Sequence, residues 1–367
     1  MGRVGADLYP LQLRTPLEDV RTFERFVGGF AGNVATGLAR LGVRAAIVSA
    51  VGDDGHGRFI RRFLADEGVD VGSLGTHPTL RTALAFCEAW PPDHFPVTFY
   101  REPTCPDWES RLDDLPPAIA DAPLCYVSGT GLAREPSRAT TLAALDLRRT
   151  ARRTETAAGV GAPDEGRRRL PDESSLTDRQ PQRTKRVATP DPAARHTAGE
   201  SASAVSTIAS WATILDLDWR AQLWPSADTY AAAIADALPR ANTVIGGAAE
   251  FAAAGIAPED ALARGPNLVV VKRGPDGAVV IDRAGSREVK GLRVPVVNGL
   301  GAGDAFAAAF GAALLAGLGA DEAVRRANAA GAIVASRLSC ATAMPTPAEI
   351  DALLEDGLLT PAPAVAR

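Results

Sequence analysis

The sequence predicts an α/β fold, a mostly parallel sheet covered by helices on both faces, and three observations predict it. Short apolar runs of strand length alternate with helical-period segments along most of the chain. The runs at 45–52 (AAIVSAVG), 123–129 (PLCYVSG), 242–247 (NTVIGG) and 267–274 (NLVVVKRG) each hold a short unbroken apolar stretch, as strands covered on both faces do. Alanine and glycine are abundant while aromatics are only 5% of the 367 residues, a composition suited to close helix-on-sheet packing.

The elements follow in order. Residues 2–7 (GRVGAD) read as the end of a short strand running into a loop. NVATGLARLG (33–42) has helical spacing and a glycine stop. Strand 45–52 leads through a turn at 53–55 to an amphipathic helix, GRFIRRFLADEG (57–68), closed by Gly68. RTALAFCEAW (81–90) and VTFYRE (97–102) pair as an antiparallel hairpin, unlike the strand–helix alternation around them. After strand 123–129 the rhythm resumes with ATILDLD (212–218), a helix over 226–238, NTVIGG, a short helix over 248–254, NLVVVKRG and AVVIDR (278–283). VPVV (294–297) reads as a strand, and a long helix follows Gly303.

Residues 148–206 depart from this rhythm. Between Arg148 and His196 there is no aromatic, isoleucine or methionine, too little apolar surface to offset the entropy of ordering. The expectation is one domain made of 1–147 and 207–367, with 148–206 a disordered insertion.

Bulk properties exclude several function classes. A net charge of −5 argues against a general nucleic-acid or anionic-membrane binder. The four cysteines and four histidines have no metal-ligand spacing, and the cysteines read as free thiols of a reducing compartment. No apolar run reaches membrane-spanning length, and the first residues show no charged-then-apolar signal pattern, so the cytoplasm is the expected location.

The strongest chemical signal is VPVVNGLGAGDAFAAAFGAALLAG (294–317). Gly301, Ala302 and Gly303 can converge their backbone N–H groups at a helix N-terminus, a nest for charge building on a transferring phosphoryl group. Asp304, in the first turn, is placed to accept a proton from an attacking hydroxyl. Taken alone, the loop fits simple helix capping equally well. A second signal is VGGFAGNVATGLARLG (27–42), where Gly28 and Gly29 admit a ligand close to the backbone. Asn33 there serves equally as hydroxyl ligand or as N-cap.

Both segments, in this order, resemble the two signatures of the ribokinase-like (PfkB) carbohydrate kinases. The resemblance covers the chain apart from 148–206. It implies a three-layer α/β/α fold with a small β-lid over the sugar site, the lid elements lying at about 81–102. It also implies ATP and Mg²⁺ as cofactors, a small-molecule sugar substrate, and lids that pair between the subunits of a homodimer. Neither nucleic acid nor membrane is an expected partner. GRVGADLYPLQ (2–12), PPDHFPVTFYRE (91–102), LDLDWRAQLW (215–224) and SCATAMPT (339–346) resemble, within the family, the 5-dehydro-2-deoxygluconokinase branch of myo-inositol catabolism.

By that resemblance Asp7 binds sugar hydroxyls and Tyr100 reaches the sugar or packs in the lid. Arg101 and Arg220 offer guanidinium forks for a sugar-acid carboxylate, or form surface ion pairs. Lys272 and Gly274, from VVVKRGPDGAVV (269–280), lie near the ATP phosphates, and Asn328 lines the adenine pocket. Glu250 acts on Mg²⁺ indirectly.

Two positions depart from the family pattern. The family's N-x-x-E is here Gly247-Ala248-Ala249-Glu250, and the aspartate that usually opens the C-terminal signature is Asn298. The rival expectations are a 2-dehydro-3-deoxygluconokinase or other sugar kinase, and a non-catalytic ligand-binding relic.

Overall fold

The computed structural model describes residues 1–159 and 211–359. A six-stranded sheet forms its centre, in the order β12-β11-β10-β9-β8-β7. Strands β7 (Leu124–Ser128), β8 (Ala212–Asp216), β9 (Thr243–Gly247) and β10 (Leu268–Lys272) run parallel. Strands β11 (Gly277–Asp282) and β12 (Gly285–Lys290) add an antiparallel edge. A parallel pair, β3 (Ser49–Gly52) and β4 (Leu74–His77), lies apart from it.

A second sheet of four strands, β2-β1-β5-β6, forms the lid. Strand β1 (Gly5–Pro10) pairs antiparallel with β2 (Phe23–Gly28) and parallel with β5 (Leu84–Cys87). Strand β5 pairs antiparallel with β6 (Val97–Tyr100), the hairpin expected at 81–102. The lid is larger than that hairpin, because residues 2–7 lead into a strand rather than end one.

The helices are α1 (Phe30–Arg40), α2 (Gly55–Asp66), α3 (Ser137–Gly159), α4 (Ala227–Ala237), α5 (Ala248–Ala253) and α6 (Pro258–Ala261). They continue with α7 (Ala302–Leu315), α8 (Ala320–Ala335) and α9 (Pro347–Asp356). Alternating strand residues explain the layers. Ile214 and Val270 enter a core shared with α1, α7, α8 and α9, while Leu215, Val269 and Val271 enter one shared with α3 and α4. Both faces are therefore dry, which is why these strands read as unbroken apolar runs. Alanine lets the helices approach closely: a methyl group on Gly37 of α1 would lie 2.6 Å from the Ala308 Cβ of α7.

Two expectations are corrected. Residues 294–297 form no strand: Pro295 has no N–H to give, and Val297 and Asn298 donate instead to Ala335 O at the end of α8. The boundary at residue 148 falls inside α3, which runs on to Gly159. Arg148 is fully buried there, donating from Nε to Thr213 Oγ1 (2.8 Å), from Nη1 to Ile119 O and Ala122 O (both 2.8 Å), and from Nη2 to Ala212 O (3.0 Å). A charge can occupy a core when each of its nitrogens is met in this way. The remainder of the expected insertion, 160–206, lies outside the described residues.

Candidate active site

The 301–304 loop is shaped by one backbone angle. Gly301, the N-cap of α7, has φ 80°, and a methyl group there would stand 2.7 Å from Cys340 Sγ. Glycine is thus required twice, for left-handed backbone and for space. Asn298 explains its own departure from the family's aspartate. It is buried, receives Leu300 N on Oδ1 (3.0 Å) and donates from Nδ2 to Leu338 O (2.6 Å). An ionised aspartate could not make the second bond.

Asp304 stands in the first turn of α7, where the helix dipole and unpaired N–H groups favour negative charge. Asn33 Nδ2 donates to its Oδ2 at 2.7 Å, joining α1 to α7. Asn33 is not the N-cap of α1; that position belongs to Gly29, with φ 82°. Burial, reinforced by Asp218, pushes the Asp304 carboxyl up to about 6, against the lowering influence of Asn33, Arg220 and Arg3.

A second carboxylate faces it. Burial pushes Asp7, on β1, up to about 7, with Arg3 opposing and Asp304 adding to the rise. Its carboxylate lies over the backbone of β2: a methyl on Gly28 would fall 2.0 Å from Asp7 Oδ2. The expected pair Gly28 and Gly29 thus seats Asp7 and opens α1.

The arginines divide into committed and available. Arg101, just past β6, is buried, ion-paired with Asp107 and stacked on Trp108 at 4.3 Å. Its Nε has no hydrogen-bond partner, and the residue lines a cavity of about 280 Å³ beside Phe99 and Gln222. Arg220 is half exposed and loosely held, with Nε 3.5 Å from Asp218 Oδ1 and Nη1 3.5 Å from Trp219 O. Tyr100 is 59% exposed and packs edge-on against Phe86 on the lid.

A cavity of about 520 Å³ is lined by Ala302, Gly303, Lys272, Gly274, Phe306 and Asn328. It gathers the residues expected on the nucleotide side. Lys272 Nζ pairs with Asp216 (3.2 Å) and Glu250 (3.7 Å), and lies 3.6 Å from where a methyl on Gly303 would sit. Burial alone would lower the Lys272 ammonium; Asp216 and then Glu250 more than reverse this and hold it charged. Asn328 is anchored through Nδ2 to Lys290 O at 3.1 Å. Glu250 accepts Gly247 N (2.5 Å) and Trp219 N (3.1 Å), so the glycine at 247 contributes backbone where the family has a side chain.

Four site residues escaped sequence reasoning. Arg3 is buried, donating to Thr130 Oγ1 (2.7 Å) and Asp218 Oδ2 (3.0 Å), and Thr130 Oγ1 donates to the same Asp218 oxygen at 2.6 Å. Asp218 takes φ 38°, uncommon for a residue other than glycine and typical of strained functional positions. Asp216 was the fourth. A signal existed in LDLD: Asp216 shares the face of Ile214 at the end of an apolar strand, and a buried carboxylate there is unusual for a core unless it is paired.

The family profile described as pfkB family carbohydrate kinase matches residues 1–165 and 192–347. The chain belongs to that family. Curated relatives of this carbohydrate kinase include a 5-dehydro-2-deoxygluconokinase of Shouchella clausii (strain KSM-K16), 29% identical, covering 97% of this chain and 94% of the relative. A Bacillus subtilis (strain 168) protein of the same name is 27% identical over 97% and 94%. Among solved structures, a PfkB protein from Polaromonas sp. JS666 superposes with TM-score 0.70 at 27% identity, covering 96% of this chain and 97% of that one. A fructokinase from Vibrio cholerae O395, bound to fructose, ADP and calcium, superposes at 0.71 with 24% identity over 96% and 97%. Their architecture is the ribokinase-like three-layer α/β/α fold of this kinase. Among the described residues no helix is long and apolar enough to cross a membrane.

Proposed function

We propose that the kinase transfers the γ-phosphoryl group of ATP to the terminal hydroxyl of 5-dehydro-2-deoxy-D-gluconate, with Asp304 as general base. The observation that carries this reading is the position of Asp304. It directly follows Ala302 and Gly303, which line a cavity with Lys272, Gly274 and Asn328, while its own carboxylate accepts from Asn33 and feels the charges of Asp7 and Arg220.

Asp304 accepts the hydroxyl proton as the oxygen attacks phosphorus in line with the departing ADP. The first-turn N–H groups of α7 and the Lys272 ammonium face the charge that spreads over the phosphoryl oxygens. Asp7 orients the sugar hydroxyls. Arg220, whose contacts among the described residues are long, keeps donors for the carboxylate of a sugar acid, with Arg101, whose buried Nε has no partner, as the second fork. The family likeness to the 5-dehydro-2-deoxygluconokinases supports this substrate class.

Mg²⁺ fits the donor set as an ion held mainly by phosphates and water. The described residues include no cluster of three or more acidic, histidine or cysteine ligands, and Glu250 already receives two backbone donors beside Lys272. When bound with the nucleotide, the ion neutralises the β- and γ-phosphate oxygens. Glu250 and Asp216 would orient its water shell. The exposed Leu11, Leu13 and Tyr100 of the lid region suit the pairing of two lids in a homodimer.

A coupled assay of ADP release with 5-dehydro-2-deoxygluconate, 2-dehydro-3-deoxygluconate and fructose tests the reading. The highest kcat/KM should belong to the first. Preference for fructose would remove the role given to Arg220, and ADP release with none of the three would remove the activity.

A further inference from the structure

Asn33 makes a contact that helix α1 does not need. Its backbone N–H already bonds Gly29 O, as any first-turn helical residue does. Its side chain, in a residue only 2% exposed, reaches across to α7 and donates from Nδ2 to Asp304 Oδ2, 271 positions later in the chain. The other amide atom, Oδ1, is buried with no hydrogen-bond partner. A reversed amide would press an oxygen against the carboxylate, so the partner itself sets the orientation.

We propose that Asn33 is a positioning residue for the general base: its amide N–H fixes Asp304 Oδ2 and so presents Oδ1 to the incoming hydroxyl. The inference rests on the reading of Asp304 as base. In the transfer step the substrate O–H proton passes to Asp304 Oδ1, the hydroxyl oxygen bonds to the γ-phosphorus, and the bond from that phosphorus to the β–γ bridging oxygen breaks. Asp304 Oδ2 stays bound to Asn33 throughout. A neutral amide suits this task, because a cation bonded to the same oxygen would take away much of the proton affinity that a base requires.

The groups facing Asp304 come from every surrounding element. Arg3 precedes β1 and Asp7 lies on it; Asp216, Asp218 and Arg220 cluster at the end of β8; Lys272 ends β10; Cys340 lies behind Gly301. Arg3 and Arg220 favour the ionised carboxylate through space, whereas Asn33 does so through a direct bond. Loss of that bond leaves burial and the neighbouring carboxylates less opposed, and the Asp304 pKa rises.

The test compares the wild-type full chain with Asn33→Ala and Asn33→Asp by two readouts. One is the acidic limb of the kcat/KM–pH profile; the other is a ¹³C-carboxyl NMR titration of aspartate, with Asp304 assigned through Asp304→Asn. In Asn33→Ala both should move up by about one pH unit, the size expected for loss of a hydrogen bond to a charged group. KM for ATP should not change. Asn33→Asp preserves side-chain volume, so it remains readable if the alanine variant fails to fold, and its second carboxylate should move both further upward. A raised KM for the sugar with limb and titration unmoved would make Asn33 a substrate contact only and overturn the proposal. Absence of turnover with every sugar would defeat the functional reading, yet the NMR titration would still decide the role of Asn33.

Discussion

Asp7, paired in register with Phe26, reaches diagonally over Gly28 on the neighbouring strand so closely that its carboxylate fills the space of a side chain at residue 28, 2.0 Å from where a Cβ would sit. The neighbouring α1 begins two residues later, after its N-cap Gly29, so the position of Asp7 and the start of the helix carrying Asn33 are set together. Gly28→Ala must displace Asp7 or the β2 backbone. We expect KM for the sugar to rise tenfold or more, on the order of a misplaced substrate contact, with the affinity for ATP unchanged. Steady-state kinetics with each substrate varied in turn checks this, and equal losses for both substrates would count against it.

Asp304→Asn keeps the shape of the site and removes the base. Turnover should fall by a factor on the order of 10² to 10⁴, the usual contribution of general base catalysis. Nucleotide binding, followed by calorimetry, should persist. Normal turnover would sink the assignment.

The wild-type pH profile has a definite sign. As the proposed base Asp304 would act only when ionised, and burial holds its carboxyl up at about 6. kcat/KM should therefore fall as pH drops through about 6 and level off above it. A limb near 4, where an exposed aspartate titrates, would show that another group or step governs the rate.

Stability should follow Asp7 in the opposite direction. Its folded-state carboxyl is raised to about 7 from the usual 3.8, so between those values the folded chain binds the proton that the unfolded chain has released. This contribution is present at low pH and lost as pH rises through about 7. Asp7→Asn removes the titration, so urea denaturation at pH 5 and pH 8 should show a smaller drop in stability between them than the wild type shows.

Arg148→Ala tests whether α3 is a core element. The substitution strands Ile119 O, Ala122 O and Ala212 O and empties the space against Trp211. A loss of about 3 kcal/mol or more is expected, from several buried acceptors left without partners. Thermal or urea unfolding measures it. Wild-type stability would place Arg148 on the surface, where a disordered insertion would have put it.

How much of this was legible in the sequence depends on the range of the interaction concerned. The β/α rhythm, the helix after Gly303 and the hairpin over 81–102 follow from periodicity and turn chemistry, which act over a few residues and leave local patterns. The Asp304 loop was legible for the same reason: left-handed backbone and a first-turn carboxylate are local demands. Even so, residues 294–297 were misread, because a proline-interrupted apolar run has the composition of a strand whether or not a neighbour is there to pair with it.

Only the tertiary structure decided which charges meet. Arg3 and Asp218 are 215 positions apart, and no spacing rule links them. Arg148 looked like the first residue of a solvated segment, yet β8 and the turn before β7 supply acceptors for each of its nitrogens. Arg101 and Arg220 looked alike as free forks, and the fold tied one to Asp107 while leaving the other loosely held. The sequence by itself determined the layers and the position of Asp304, the proposed base. The three-dimensional packing determined the electrostatic surroundings of that base, since burial and long-range pairing are properties of the assembled chain and not of any segment in it.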